Sequence, residues 1–413
     1  MQFPGGNDAR STRPLTSRKQ RAIPASTCSM LLLLALRTHP ASGVPLDMGP
    51  LAMVMPQVAH APAPAWVKPG LRLVYAGGTA TIDGLNPTGP HLSSTNPAGR
   101  WNRLAAMGAA GMTQYDIIAV EDGVVVVTMS LYIQPNGLGT TPQLSSTSTI
   151  LGAPGATSEI WINPSVLSKF HSPGKEITVM KMPYHLGDRD VPSIWIKTNT
   201  DAGYELHVYE AATGMLIHFG MDQAGLHGTT KATGDLREHR LIKTPWAGHY
   251  SLPASVLTGD FRYTGAISTA LPGSFPMRIP LSVSFSPKYH GTGWITEAQT
   301  IVQQNVAGLP PSTTHAVIAA GPGQLTNLWL PPQDLERLQE GQELDRDPIT
   351  QVVTNVGGHQ QMPDGSDLLM ISHVCPVQRL DFGYSTRTGI LVYMSRTDQI
   401  GPATMQTQIR LVQ

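Results

Sequence analysis

Two stretches decide how this chain is built: "YEAATGMLIHFG" (Tyr209 to Gly220) and "YSTRTGILVYMS" (Tyr384 to Ser395). Both read Tyr-x-x-x-Thr-Gly followed by an apolar pair, and both follow a run that alternates apolar and polar residues. Alternation with a period of two puts one face of a strand in a core and the other in water. The Thr-Gly step then reads as the connection of a β-hairpin, with glycine supplying the positive φ that other residues avoid. A motif that builds a turn needs no catalytic explanation.

The same order of elements occurs twice around these hairpins. "LVYAGGTAT" matches "FRYTGAIST", aligning Tyr75 with Tyr263 and Gly77 with Gly265. "IWINPSVLSKFHSPGKEI" matches "LWLPPQDLERLQEGQEL", aligning Trp161 with Trp329, Pro164 with Pro332 and Leu167 with Leu335. Three matches in one order point to an internal duplication. In the middle element an apolar strand end meets proline, which suits the first turn of a helix because its missing N–H would be unpaired there. A short helix is expected after each proline, over "PSVLSKF" and "PQDLERLQE", stopped by Gly174 and Gly341. Other runs read as plain strands. "QYDIIAVEDGVVVVTMSLYI" is a hairpin turning at Glu121-Asp122-Gly123, "RIPLSVSFS" and "GWITEAQTIVQQ" form its counterpart, and "MQTQIRLV" is expected to close the sheet at the C-terminus. "PAGRWNRLAAMGAAG" reads as one short helix.

Composition agrees with a β-rich chain. Among 413 residues there are 41 Gly and 35 Pro, so turns are many and long helices few. Charged residues are 14%, against about 25% in an average soluble protein. Formal net charge is zero, from 28 basic and 28 acidic residues, which argues against a nucleic-acid-binding role. The expected fold class is mainly β: two similar antiparallel β-rich modules, 66–245 and 250–413, each with a short helix, after a disordered N-terminal leader.

That leader, residues 1–65, is a different kind of chain. Arg10, Arg13, Arg18, Lys19 and Arg21 precede "MLLLLAL" (Met30 to Leu36), and Ala41 and Gly43 follow at the −3 and −1 positions of a signal-peptidase site. The apolar run falls short of the roughly 20 residues that span a bilayer. A second site, Ala59-His60-Ala61, precedes the linker "APAPAW". The expected location is extracellular, periplasmic or in the cell envelope, with a lipid, a glycan or an envelope protein as partner and no transmembrane helix in the mature chain.

Motifs for chemistry are scarce. There is no G-x-S-x-G elbow, H-E-x-x-H, C-x-x-C, P-loop or dinucleotide fingerprint, and no cofactor is expected. "LDRDPIT" (Leu344 to Thr350) lacks the remaining ligands of a calcium loop and reads as a turn. "YHLGDRDVP" gathers His185, Asp188 and Asp190, which suit acid–base or metal chemistry but equally make a solvated hairpin tip. Trp161 and Trp329 recur with Tyr209 and Tyr384; such aromatics bind sugars or lipids, though a Trp beside a helix is more simply a core plug. Cys375, in "LLMISHVCPV", reads as a small buried hydrophobe on a strand. The residues therefore favour a non-enzymatic binding or structural protein. The alternative is an exported hydrolase whose site is assembled from scattered His and Asp residues.

Overall fold

The structure, a computed structural model, describes residues 56–77, 81–82, 111–121, 123–133, 143–155, 157, 160–172, 174, 176–201, 203–225, 228–246, 248, 250–270, 277–304, 310–362, 365, 367–400 and 402–412. The leader before residue 56, with its apolar run, and the helix expected over 97–111 lie outside these residues, Gly111 excepted.

Two antiparallel sheets of similar size carry most of the described residues. The first holds β1 (Leu71–Ala76), β2 (Thr81–Ile82), β3 (Gly111–Glu121), β4 (Val124–Ile133), β5 (Gln143–Gly152), β6 (Ile177–Leu186), β7 (Arg189–Thr200), β8 (Gly203–Glu210), β9 (Leu216–Gly225) and β10 (Gly228–Leu241). The second holds β11 (Phe261–Ala270), β12 (Met277–His290), β13 (Ile295–Gln303), β14 (Ser312–Ala320), β15 (Glu343–Arg346), β16 (Val353–Gln361), β17 (Asp367–Cys375), β18 (Gln378–Ser385), β19 (Leu391–Ile400) and β20 (Ala403–Leu411).

The strand orders repeat. The first sheet runs β5-β4-β3-β1-β10-β9-β8-β7-β6, with β2 on β10, and the second runs β14-β13-β12-β11-β20-β19-β18-β17-β16-β15. Each module starts in the middle of its sheet, walks outward by hairpins, crosses to the opposite edge and walks back. The last strand then pairs with the first. Consequently "MQTQIRLV" does not close an edge: β20 lies mid-sheet between β11 and β19. The edges are β5 and β6, and β14 and β15, where the chain leaves the sheet to make the crossover.

Among the described residues, four single-turn helices sit in the connections: α1 (Pro56–Ala59), α2 (Pro164–Leu167), α3 (Ala254–Leu257) and α4 (Pro332–Leu335). The prolines start α2 and α4 as expected, but both helices stop after one turn, well before Gly174 and Gly341. Looser turns through Phe170 and Leu338 follow, and the Gly341 amide donates to Val356 O, handing the chain to the sheet. Leu167 and Leu335 are fully buried, so each one-turn helix is anchored in its core alongside Ile162 and Leu330 of the same crossovers. α1 and α3, which the sequence does not signal, each precede the first strand of a module and bury Val58 and Val256. Val58 and Ala59 belong to the first core, and Asn163 Nδ2 donates to Pro62 O at 2.7 Å, so this part of the assigned linker is packed.

The recurring motifs meet in space in the same way in both modules. Trp161 bridges Met215, and Trp329 bridges Ile390. The Ile162 amide donates to Gly214 O and the Leu330 amide to Gly389 O, both at 2.9 Å. Gly214 and Gly389 have φ of 72° and 73°, and a Cβ on either would lie within 2 Å of the Ile162 or Leu330 oxygen: 1.8 Å and 1.9 Å. The glycine is thus fixed twice, by φ and by the approach of the crossover strand. Each core is filled by aliphatic and aromatic side chains from the inner face of its sheet.

Candidate functional site

His185, Asp188 and Asp190 lie at the tip of the β6–β7 hairpin. His185 Nδ1 and Asp190 Oδ1 are 3.0 Å apart, and both side chains are more than two-thirds exposed, at 71% and 72%. Water there screens the pair and leaves nothing enclosed for chemistry. Trp161 and Trp329 are buried, and their indole N–H groups donate to Pro154 O (3.2 Å) and Thr388 O (2.9 Å). They stack edge-on against Trp66 and Tyr250. Cys375 is buried at the end of β17, where burial pushes its thiol above the ordinary range and keeps it protonated. No group of three or more metal-ligating side chains is brought together among the described residues.

A buried cluster of charged side chains joins the two modules. Arg72, on the outer face of β1, donates from Nε and Nη2 to the two oxygens of Asp116 at 2.7 and 3.2 Å. Its Nη1 reaches across to Asp345 (3.3 Å) and Asp347 (3.1 Å) of the second module. Arg240 forks onto Asp345, with Nη2 at 2.7 Å from Oδ2. Desolvation opposes the charge on Arg72, but Asp116 and Asp347 outweigh it and raise its pKa. Asp347 is fully buried and also accepts the amides of Ile349 and Thr350, each at 2.9 Å. So "LDRDPIT" is only partly the expected turn: Leu344 to Arg346 lie on β15, the turn follows from Asp347, and Asp345 and Asp347 also clamp two arginines. His373, with Thr354 on Nδ1 (2.7 Å) and Thr326 on Nε2 (2.8 Å), is held neutral: burial lowers its pKa to about 4. Arg240 Nε also lies 3.1 Å from Glu238 Oε1, so the carboxylates and arginines are paired charge against charge, as in a structural joint.

Glu297 is different. It lies on β13 two residues after Ile295, on the face that turns into the second core, and is 1% exposed. Neither carboxyl oxygen has a hydrogen-bond partner in the protein, and among the buried carboxylates of the described residues Glu297 alone has both oxygens unpartnered. Burial, with a smaller contribution from Asp260, pushes its pKa up to about 8. Its charge acts on Tyr250 and Tyr263. Across the sheet it pairs with Pro287 and Ile318, one strand in from the edge strand β14.

The first module supplies an internal control. Tyr115 pairs with Met129 there, as Phe285 pairs with Gln299 in the second sheet, so Val127 occupies the place of Glu297. Val127 is fully buried in the first core. A position packed with valine in one copy therefore holds an unpartnered carboxyl in the other. An unpaired buried carboxyl costs stability, and such groups concentrate at functional sites. The signal was present in the sequence: Glu297 shares strand parity with Ile295 and Ile301.

A second polar cluster lies on the outer face of the first sheet. The Tyr184 hydroxyl donates to Asp235 Oδ1 (2.5 Å), and His218 Nδ1 lies 2.8 Å from that oxygen and 2.9 Å from the hydroxyl. Val191, Val208 and Ile217 bury its flank. In the second module the matching positions are Tyr393 and Arg410, which pair on β19 and β20 as His218 and Asp235 pair on β9 and β10.

No protein-family model matches the chain, and no curated protein matches it. Among solved structures, the chain is similar to a Nostoc punctiforme protein of unknown function from the DUF3598 family. Identity is 12%, covering 82% of this chain and 95% of that one, with a TM-score of 0.13. A Nitrosomonas europaea protein provisionally named AttH matches at 9% identity over 90% of this chain and 98% of that one, with a TM-score of 0.15. Superpositions this poor carry no argument about what the chain does.

Proposed function

We propose that this chain is a non-enzymatic binding protein that takes a largely apolar small molecule onto the inner face of its second sheet at Glu297. The observation that carries the reading is the pair of unpartnered Glu297 oxygens where the first sheet has Val127. An apolar interior with one polar group that fixes orientation is the usual make-up of a small-molecule site. The test is to purify the full chain and its Glu297→Val variant in parallel, extract both with organic solvent and compare the extracts by mass spectrometry. A small molecule carried by the wild type and absent from the variant supports the reading; identical extracts would sink it.

The proposed location is outside the cytoplasm or in the cell envelope, on the strength of the basic and apolar pattern of residues 10–36. The burial of Val58 and Ala59 favours a cleavage near Val44 over one at Ala61, which would pull both out of the core. Fractionation with N-terminal sequencing of the mature form tests this, and an intact cytoplasmic chain starting at Met1 would overturn it.

The hydrolase reading is favoured by one observation, the His218–Asp235–Tyr184 cluster. A carboxylate on Nδ1 fixes the imidazole and leaves Nε2 to act as a base. Ester hydrolysis abolished by His218→Asn would support it; turnover unchanged in that variant would exclude His218.

A further inference from the structure

We infer that the head group bound at Glu297 is an organic cation, an alkylammonium or guanidinium carried on an apolar body. This rests on the reading that Glu297 is the binding site. The inference comes from where the surrounding protons already go. The Tyr263 hydroxyl donates to Leu391 O at 2.7 Å, and the Tyr250 hydroxyl donates to Trp329 O at 3.3 Å. The Trp329 indole donates to Thr388 O and the Tyr384 hydroxyl to Asn327 O. The Thr296 hydroxyl donates to Tyr289 O. Trp294 Nε1 is a buried donor without a partner, but it sits at the hairpin tip beside Gly291 and Glu121. Tyr250 and Tyr263, the hydroxyls on which the Glu297 charge acts, therefore give their protons to backbone carbonyls and not to the carboxyl.

A carboxylate in such a place can be satisfied only from outside the protein. Its complement is a ligand end that donates hydrogen bonds and brings positive charge. The core next to it is rich in aromatic rings: Tyr250, Phe261, Tyr263, Phe285 and Trp329. Aromatic faces attract cations and have no such preference for a neutral hydroxyl. The first module, with Val127 in place of the carboxyl, has no matching counter-ion at this position.

The inference has a signature that simple apolar binding lacks. Glu297 is protonated in the empty protein at neutral pH, since burial and Asp260 hold its pKa at about 8. Tyr250 and Tyr263, the other titratable groups it acts on, are pushed above the ordinary phenol range by burial and stay neutral. Pairing with a cation requires the carboxylate, so binding must expel the Glu297 proton. At pH 7 that amounts to about one proton per ligand, by linkage.

The experiment is calorimetric titration of the full chain at pH 7 in two buffers of different ionisation enthalpy. Decylammonium and 1-decanol serve as probes, each below its aggregation concentration. The expected result is one decylammonium per chain with release of about one proton, at least tenfold weaker in Glu297→Gln, and weaker binding of 1-decanol without proton release. Glu297→Val, which copies the first module, is the second variant in case the amide disturbs packing; near-ultraviolet circular dichroism checks both folds. Equal binding of 1-decanol, with no proton released by either probe and a loss in both variants, would overturn the cation inference and leave the binding site standing. Binding unaffected by either variant would overturn both.

Discussion

The Tyr263 hydroxyl donates to the carbonyl of Leu391 at 2.7 Å, linking the first strand of the second module to the strand after its Thr-Gly hairpin. Tyr75 makes the same bond to Leu216 at 2.8 Å in the first module. Both tyrosines are 1% exposed, so removing the hydroxyl leaves a buried carbonyl without this donor. Tyr263→Phe and Tyr75→Phe should each cost about 1–3 kcal/mol, measured by urea unfolding. Losses below about 0.3 kcal/mol at both sites would show that the bonds are incidental.

Gly214→Ala and Gly389→Ala should be more damaging than the tyrosine changes. Each places a methyl against a backbone oxygen, 1.8 Å and 1.9 Å away, at a φ that alanine avoids. A loss above about 2 kcal/mol is expected for each, since backbone strain and displacement of the crossover strand add. Thermal unfolding of the two variants checks this, and a pair that melts with the wild type would contradict the close approach.

Glu297 sets a pH dependence of stability. Its folded pKa, about 8, lies above the unfolded value near 4.5. The folded state therefore holds the proton more tightly. The stability this contributes is complete below about pH 4.5 and is lost as pH rises towards 8, with a slope of at most about 1.4 kcal/mol per pH unit. Glu297→Gln should flatten that part of the profile in denaturant titrations between pH 5 and 8. Parallel profiles for the variant and the wild type would mean that the carboxyl titrates normally.

Arg72 is the hub of the joint between the sheets. Replacing it by alanine leaves Asp116 and the fully buried Asp347 without their main counter-charge. The expected cost is about 3–5 kcal/mol, the usual penalty for stranding one half of a buried ion pair. Chemical unfolding of Arg72→Ala should also lose cooperativity, with the two sheets melting at different urea concentrations. A single transition with an unchanged midpoint would show that the cluster contributes nothing to the joint.

Hairpins could be read from the sequence because their information is local. The Thr-Gly connections span 211–215 and 386–390, between strands whose alternation is clear. The hairpin of β3 and β4 turns at Glu121 to Gly123 as the residues indicate. The short helices were legible at their prolines and illegible at their ends, because a single turn is stopped by a buried leucine and by tertiary pairing instead of a glycine signal. α1 gave no signal because four residues carry no periodicity.

The sequence by itself determined the β class, the doubling of the module and the positions of its turns, since each rests on neighbours within a few residues or on repetition. Only the tertiary structure decided that the first and last strands of each module pair at mid-sheet, which moves the open edges to the middle of each module. It also decided that Arg72 meets Asp345 and Asp347, and that Glu297 is buried with neither oxygen hydrogen-bonded. The physical reason is separation. A period of two says which side chains share a face, but not which distant strand covers that face, and a carboxyl is unpaired only with respect to the partners that folding brings around it.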